Sequence, residues 1–200
     1  MENYVITLSR QYGALGRPVA QTLARTLGID FWDRDIVEEA AKRMGQSLHA
    51  ISDLEERERP SLFPARHREF AMNLASYSIS DEIFDIESNV IRDAASRSSC
   101  IIVGRCGDYV LRGHPRKLSV YLFSSLEDRV KNCMTYLDMD EKTARKQIRE
   151  MDLARTYYHR KYIPDLKSPL EMGDILLDAT RFGVEGTAEI IADTARKLFL

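Results

Sequence analysis

The sequence is poor in the residues that mark several specialised classes of protein. Its three cysteines lack paired metal or disulfide spacing, and Cys100 lies in an apolar run typical of a small core residue in a reducing compartment. The four histidines are scattered, so no metal site is predicted. No apolar stretch approaches the roughly 20 residues that span a bilayer, and the first residues lack the basic segment of a secretory signal. A cytoplasmic protein is therefore expected.

An excess of charge of either sign is also absent. The chain has 29 Lys and Arg against 31 Asp and Glu, for a formal net charge of -2. This balance gives no global attraction to nucleic acid or to an anionic membrane, and neither is expected as a partner. With 200 residues, of which 44% are hydrophobic, the chain is long enough for one sizeable core and gives little support for two full domains.

Short apolar runs alternate with helical patterns along the chain. The predicted strands are residues 4–8, 29–32, 100–104, 117–123 and 174–179. The predicted helices are 17–27, 33–45, two within 66–97, one after residue 124, one at about 140–160 and one at 184–199. This alternation predicts a parallel sheet covered on both faces, with ligands bound beyond the carboxyl ends of its strands.

Single residues predict where some of these helices begin. Ser124 and Glu127 have the spacing of a capping box for the helix that follows the fourth strand. Asp33 or Asp35 is expected to cap the helix after the second strand.

The stretch after the first predicted strand resembles a phosphate-binding loop. Gly13 and Gly16 allow the backbone to curl with its N–H groups pointing inward, and the next helix offers an N-terminus that attracts anions. Arg17 stands where such a loop usually has lysine. The guanidinium keeps the positive charge but binds phosphate as a planar fork, so the sequence predicts an anion site with altered geometry.

The same loop departs from the usual pattern in other ways. Gln11 occupies the first glycine position, while Pro18 and Val19 offer no hydroxyl group to magnesium. A plain strand–turn–helix without a ligand is therefore the alternative interpretation of this stretch.

Charged residues also follow the second and third predicted strands. Asp33 and Arg34 end the second strand, which is expected to lie beside the first, and Arg105 and Asp108 lie just past the third. The helix near 140–160 has seven Lys or Arg between Lys142 and Lys161 against two acids, and a solvated basic face is its alternative interpretation. Arginines from several segments at one sheet edge nevertheless indicate a polyanionic ligand.

Five ordered motifs extend over nearly the whole chain, from about residue 4 to 197: "SRQYGALGR", "DFWDRDIV", "VGRCGDYVL", "ARTYYHRKY" and "DILLDATRFG". Together they resemble the cytidylate kinase-like family of P-loop proteins, which are relatives of the nucleoside monophosphate kinases. The resemblance implies a single α/β domain with the P-loop kinase fold, three layers and a five-stranded parallel sheet. Its core would be residues 1–45, 98–139 and 170–200, with a helical acceptor-binding insert at about 46–97 and a helical lid at about 140–165.

The resemblance also implies an activity. Kinases of this group use ATP with Mg²⁺ and move the γ-phosphoryl group to a small acceptor such as a nucleoside monophosphate. The protein would act by positioning and charge stabilisation, with a small phosphate-bearing molecule as its partner. The alternative is a nucleotide- or anion-binding sensor that keeps the pocket without turnover.

Matching the motifs by position assigns expected roles to individual residues. The donor phosphates would be bound by one continuous loop: Ser9, Arg10, Gln11, Tyr12, Gly13, Ala14, Leu15, Gly16 and Arg17. The transferred group would be stabilised by three arginines: Arg17, Arg149 and Arg155. The acceptor would be bound by charged residues from several segments: Asp33, Arg34, Arg105, Asp108, Asp152 and Arg160. Cys106 stands where cytidylate kinases have an aspartate that recognises the acceptor, which leaves the acceptor open.

Overall fold

The computed structural model of the chain describes residues 2–47, 49, 79–163 and 173–200. Within these ranges, one parallel sheet has five strands in the order β2-β3-β1-β4-β5. The strands are β1 (Val5–Arg10), β2 (Asp30–Trp32), β3 (Cys100–Val103), β4 (Lys117–Phe123) and β5 (Ile175–Asp178). The predicted α/β class with a five-stranded parallel sheet is confirmed.

The helices of the described residues connect and cover these strands. They are α1 (Gly16–Leu27), α2 (Arg34–Arg43), α3 (Ile79–Arg97), α4 (Gly107–Val110), α5 (Leu126–Leu137), α6 (Glu141–Tyr162) and α7 (Ala179–Phe199). Of the two helices predicted within 66–97, α3 is described and residues 66–78 lie outside the described residues. In the part of the chain that the structure describes, none of the helices has the length and apolarity needed to cross a membrane.

Alternate residues of the central strands enter apolar clusters on opposite faces of the sheet. Ile101 and Val103 of β3 join a cluster with α1 and α7, whereas Cys100 and Ile102 join a second cluster with α2 and α3. The period of two in a strand produces this separation because successive side chains point to opposite faces. Helices therefore cover both faces, and ligands have access at the strand ends.

The prediction that β2 lies beside β1 is wrong. Strand β3 lies between them, and Cys100 pairs with Val5 of β1 on one side and with Asp30 of β2 on the other. A side chain that joins the ends of β1 and β2 must therefore cross the end of β3.

The start of α5 differs from the predicted one, and the residues before the last predicted helix form an additional turn. Ser125, not Ser124, caps α5 by accepting the N–H of Asp128 at 3.1 Å. The Ser124 hydroxyl instead donates to Asp178 Oδ1 at 3.0 Å, which joins β4 to β5. In α7, Asp178 caps a first short turn that starts at Ala179, and the backbone is non-helical at Gly183, with φ +70° and ψ 176°. The predicted helix at 184–199 follows this break.

Asp33 lies at the start of α2 but binds arginines instead of capping the helix. Asp33 occupies the N-cap position, yet its side chain makes no capping hydrogen bond. Its carboxylate instead contacts Arg10 and Arg17. The predicted cap is thus wrong in its role, because ion pairing with arginines has replaced capping at this aspartate.

Candidate functional site

The loop after β1 has the curled backbone expected of a phosphate-binding loop. Gly13 has φ +79° and Leu15 has φ +55°, and α1 begins immediately afterwards at Gly16. Gln11 anchors the loop to β4, since its N–H donates to Leu122 C=O at 3.0 Å. Its side-chain Oε1 also accepts the Ser124 N–H at 3.1 Å. The residue that replaces the first glycine therefore holds the loop in place.

Helix α5 supports the same loop from the other side. Asn132 Nδ2 donates to the C=O of Gly13 at 2.9 Å. A Cβ atom at Gly13 would lie 2.8 Å from the carbonyl oxygen of Arg129, so a larger residue would push the loop away from α5. Arg129 also donates to the C=O of Tyr12. Position 13 therefore requires glycine for two reasons: its φ angle is positive, and a side chain there would collide with α5.

Arg10, the last residue of β1, is the centre of a cluster of positive charge. Its Nη2 lies 3.4 Å from Asp33 Oδ1, and its side chain is 20% exposed. Burial and then the charge of Arg155 are the main causes that lower the pKa of Arg10 to about 9. Arg105 and Arg17 act in the same direction, and Asp33 opposes them. These four arginines, together with Asp33, are called the arginine cluster below. They come from β1, α1, the loop after β3 and α6.

Arg17 lies at the edge of this cluster. Its Nε is 3.6 Å from Asp33 Oδ2, and its side chain is 47% exposed. The residue in the usual lysine position is therefore near the predicted site but is more hydrated than Arg10.

Helix α6, which the sequence predicts to be the lid, contacts the loop through two residues that the sequence predicts to be functional. Arg155 Nη1 donates to the C=O of Arg10 at 2.9 Å, and its guanidinium lies 5.7 Å from the centre of the Tyr12 ring. Asp152 Oδ1 accepts the N–H of Tyr12 at 2.9 Å, and its other oxygen pairs with Arg129. Helix α6 thus packs against the candidate phosphate loop.

Arg105 is held by a buried carboxylate. Its Nη1 lies 3.3 Å from Oε1 of Glu87, a residue of α3 that is 0% exposed. The hydroxyl of Tyr158, on α6, donates to Glu87 Oε2 at 2.9 Å. The guanidinium of Arg105 also stacks 5.7 Å above the Tyr158 ring. Glu87 therefore connects α3, the loop after β3 and α6.

The remaining predicted residues lie in different places. Arg149 lines a groove of about 620 Å³ between α5 and α6, and this groove is also lined by Arg129 and Asp152, which contact Tyr12 of the loop. Arg34 and Arg160 are exposed. Asp108 is buried on α4, where Lys117 donates to its backbone C=O at 2.9 Å, and burial raises the pKa of its carboxyl group. Ser9 of β1 and Ala14 of the loop are buried. No contact described in residues 2–47, 49, 79–163 and 173–200 brings Arg149, Arg34, Arg160 or Asp108 to the arginine cluster.

Sequence reasoning missed Glu87, Arg129 and the pairing of Tyr158. For Glu87 there was a signal, because it lies four residues from both Ile83 and Ile91 on the buried face of α3. An acidic residue on an apolar helix face is almost never fully buried without a partner. For Arg129 and Tyr158 the partners come from distant segments, and no local pattern indicates them.

His159 lies one turn beyond Arg155 on α6 and belongs to the same positive environment. Burial lowers its pKa to about 4, with the charges of Arg155 and Arg10 as further causes. The imidazole is therefore neutral at neutral pH.

The His159 environment predicts acid sensitivity. An unfolded histidine has a pKa near 6.5, so its folded pKa of about 4 favours the neutral form in the fold. Its stabilising contribution is complete above pH 6.5 and is lost as the pH falls to 4, because only the unfolded chain then gains a proton. In urea titrations across this range, His159→Gln is expected to lose less stability than the parent protein. His114→Gln is the matched control, and an unchanged slope for His159→Gln would contradict the prediction.

The described residues fit a polyphosphate better than they fit a dedicated metal site. Pro18 and Val19 present no hydroxyl group, and Asp33 already contacts two arginines. Within the described ranges, no group of three His, Cys, Asp or Glu side chains is placed to hold a metal ion. The curled loop, the start of α1 and the arginine cluster are together suited to phosphate oxygens.

Solved structures that include two kinases resemble this fold. A crystal structure of an uncharacterized protein from Eubacterium ventriosum ATCC 27560 matches with a TM-score of 0.73 at 22% identity, over 97% of this chain and 99% of that one. Shikimate kinase from Acinetobacter baumannii in complex with shikimate matches with a TM-score of 0.56 at 16% identity, over 99% and 96%. A gluconokinase from Sinorhizobium meliloti 1021 matches with a TM-score of 0.55 at 13% identity, over 98% and 95%. These likenesses confirm the predicted P-loop kinase fold.

Two sequence comparisons were informative to different degrees. No curated protein matches the chain. A family model described as the cytidylate kinase-like family matches residues 5–181, which include the loop after β1, the Gly-Arg pair after β3 and the lid helix. The chain therefore belongs to the cytidylate kinase-like family.

Proposed function

We propose that the protein is a phosphotransferase that moves the γ-phosphoryl group of ATP to a small acceptor. The observation that carries this proposal is the arginine cluster. Four guanidinium groups from four segments gather at the carboxyl ends of parallel strands, with Asp33 as the carboxylate that contacts two of them. Bringing these positive charges together costs free energy through desolvation and mutual repulsion, and a bound polyanion would offset that cost.

In the proposed reaction, the residues of the arginine cluster would have different roles. The N–H groups at the start of α1, with Arg10 and Arg17, would bind the donor phosphates. Arg155, on the lid, would stabilise the charge on the transferred group, and Arg105 would hold the acceptor. The reaction needs no covalent intermediate, because in-line transfer depends on positioning and charge stabilisation. Magnesium would arrive with ATP as a complex, and no protein ligand is assigned to it.

The acceptor is open to several chemical classes. Cys106 stands at the position of the cytidylate-recognising aspartate, is 0% exposed, and has its pKa raised by burial. An apolar, protonated thiol offers no carboxylate to a cytosine base. We therefore propose a small acceptor other than cytidylate, bound near Arg105.

A sensor without turnover is the second candidate function. Its support comes from Pro18, which removes both an N–H and a hydroxyl from the start of α1. Arg17, next to it, is about half exposed and lies 3.6 Å from its nearest carboxylate oxygen. A loop with these features would still attract an anion while supporting transfer poorly.

One experiment separates the two functions. The protein is incubated with ATP and Mg²⁺ against a panel of nucleoside monophosphates and hydroxylated metabolites, and ADP and phosphorylated product are followed. A phosphotransferase is expected to release ADP at least about tenfold faster with one acceptor than with ATP alone, since general positioning effects exceed this size. Tight ATP binding by calorimetry without product from any acceptor would favour the sensor.

A further inference from the structure

The side chain of Arg10 crosses three strand ends. It starts at the end of β1, passes the Gly104 position at the end of β3, and reaches Asp33 after β2. The side chain has to pass over the end of β3 because β3 lies between β1 and β2 in the sheet. The guanidinium thus lies above the central strands, where parallel sheets bind their ligands.

Two glycines leave room for this side chain. A Cβ atom at Gly16 would lie 2.7 Å from Arg10 Cγ, and one at Gly104 would collide with Arg10 Nη1. Gly104 also has φ +75°, a conformation that favours glycine. The backbones of the phosphate loop and of the loop after β3 are therefore both shaped around Arg10.

Electrostatics distinguish Arg10 from Arg17. Arg10 is 20% exposed and has three other arginines as charged neighbours, whereas Arg17 is 47% exposed. A charge that is mostly removed from water interacts more strongly with a bound anion, because solvent screens it less. An anion at Arg10 would also relieve the repulsion among all four guanidinium groups.

We propose that Arg10, rather than the residue at the usual lysine position, is the principal phosphate-binding cation of this site. The phosphate then binds above the end of β3, between the loop and Arg105. Arg17 acts as an outer cation whose contact with Asp33 keeps that carboxylate at the edge of the site. This inference rests on the proposed function only in requiring that the site binds phosphate, and it does not require turnover.

The test is calorimetric titration with pyrophosphate and with ATP. Arg10→Gln is expected to weaken pyrophosphate binding by roughly 10- to 100-fold, the range for hydrogen bonds to charged groups. Arg17→Gln is expected to weaken it by less than about fivefold, since exposed charges contribute little. Arg25→Gln is the matched control, because Arg25 is an exposed arginine in the last turn of α1, at the other end of the helix from the loop. A larger loss in Arg17→Gln than in Arg10→Gln would overturn the proposal.

A glycine substitution tests the same idea with every charge retained. Gly104→Ala places a methyl group where Arg10 Nη1 lies and should displace the guanidinium, so that pyrophosphate binding weakens as in Arg10→Gln. Gly28→Ala is the control for backbone strain, since Gly28 has φ +65° and no atom within 4 Å of an added Cβ. Unchanged affinity in folded Gly104→Ala would overturn the proposal, and this variant decides the matter if Arg10→Gln does not fold.

Failure of the proposed function has a different signature. If the parent protein binds neither pyrophosphate nor ATP, both the phosphotransferase and the role of Arg10 are rejected. If pyrophosphate binds through Arg10 but no acceptor yields product, the phosphotransferase is rejected and the role of Arg10 stands.

Discussion

Replacing Arg155 with glutamine is expected to lower the rate of phosphoryl transfer by about 10²- to 10³-fold, the loss typical of one preorganised donor to transition-state charge. Arg155 reaches from the lid to the C=O of Arg10 and lies over the Tyr12 ring. A guanidinium has five N–H donors, and the described hydrogen bonds of Arg155 use one. In the proposed function, the others would donate to the transferred group.

The measurement is kcat and KM for ATP with the acceptor found in the panel. We expect kcat to fall and KM to change by only a few-fold, because the interaction strengthens in the transition state. Lys142→Gln is the control, since Lys142 is an exposed cation in the first turn of the same helix and has no predicted role. A rise in KM with unchanged kcat would mean that Arg155 binds ATP only in the ground state.

Replacing Glu87 with glutamine is expected to lower the free energy of unfolding by about 2 kcal/mol. The change keeps the shape of the side chain but removes the charge that Arg105 faces, and hydrogen bonds to charged groups are worth roughly 1.5–3 kcal/mol. Glu87 is 0% exposed and the Arg105 side chain is 24% exposed, so the pair is only weakly screened by water. Urea denaturation measures the effect.

A surface pair supplies the control for Glu87. Glu39 and Arg43 lie 3.2 Å apart on α2, with side chains 35% and 31% exposed. Glu39→Gln is expected to cost at most about 0.5 kcal/mol, as for other i,i+4 pairs in helices. Equal losses in Glu39→Gln and Glu87→Gln would contradict a special role of the buried carboxylate. Tyr158→Phe should cost about 1 kcal/mol by removing one hydrogen bond to Glu87.

The succession of elements was predictable because it depends on neighbouring residues. Apolar periodicity and turn-forming glycines act within a few positions of the chain. Residues 117–123 were accordingly predicted as a strand with both ends correct, and α1 was predicted to end before Gly28. The phosphate loop was recognisable for the same reason, since its glycines and the helix after it are contiguous.

The same local patterns could not predict which residues of distant segments come into contact. The order of parallel strands depends on long connections and on burying both faces of the sheet. Sequence reasoning therefore placed β2 beside β1, whereas β3 separates them. The pairs that build the site are likewise remote: Arg10 and Asp33 are 23 residues apart, Tyr158 and Glu87 are 71 apart, and Arg155 and Arg10 are 145 apart.

By itself, the sequence determined that arginines follow the strands of a parallel sheet and that a glycine loop precedes a helix. Only the tertiary structure decided that Arg10 lies at the centre of the arginine cluster, that Arg17 lies at its edge, and that Arg149 lines the groove between α5 and α6. The reason is physical. The strength of a charge as a ligand depends on its burial and on its distance from other charges, and both are properties of the packed chain rather than of any segment.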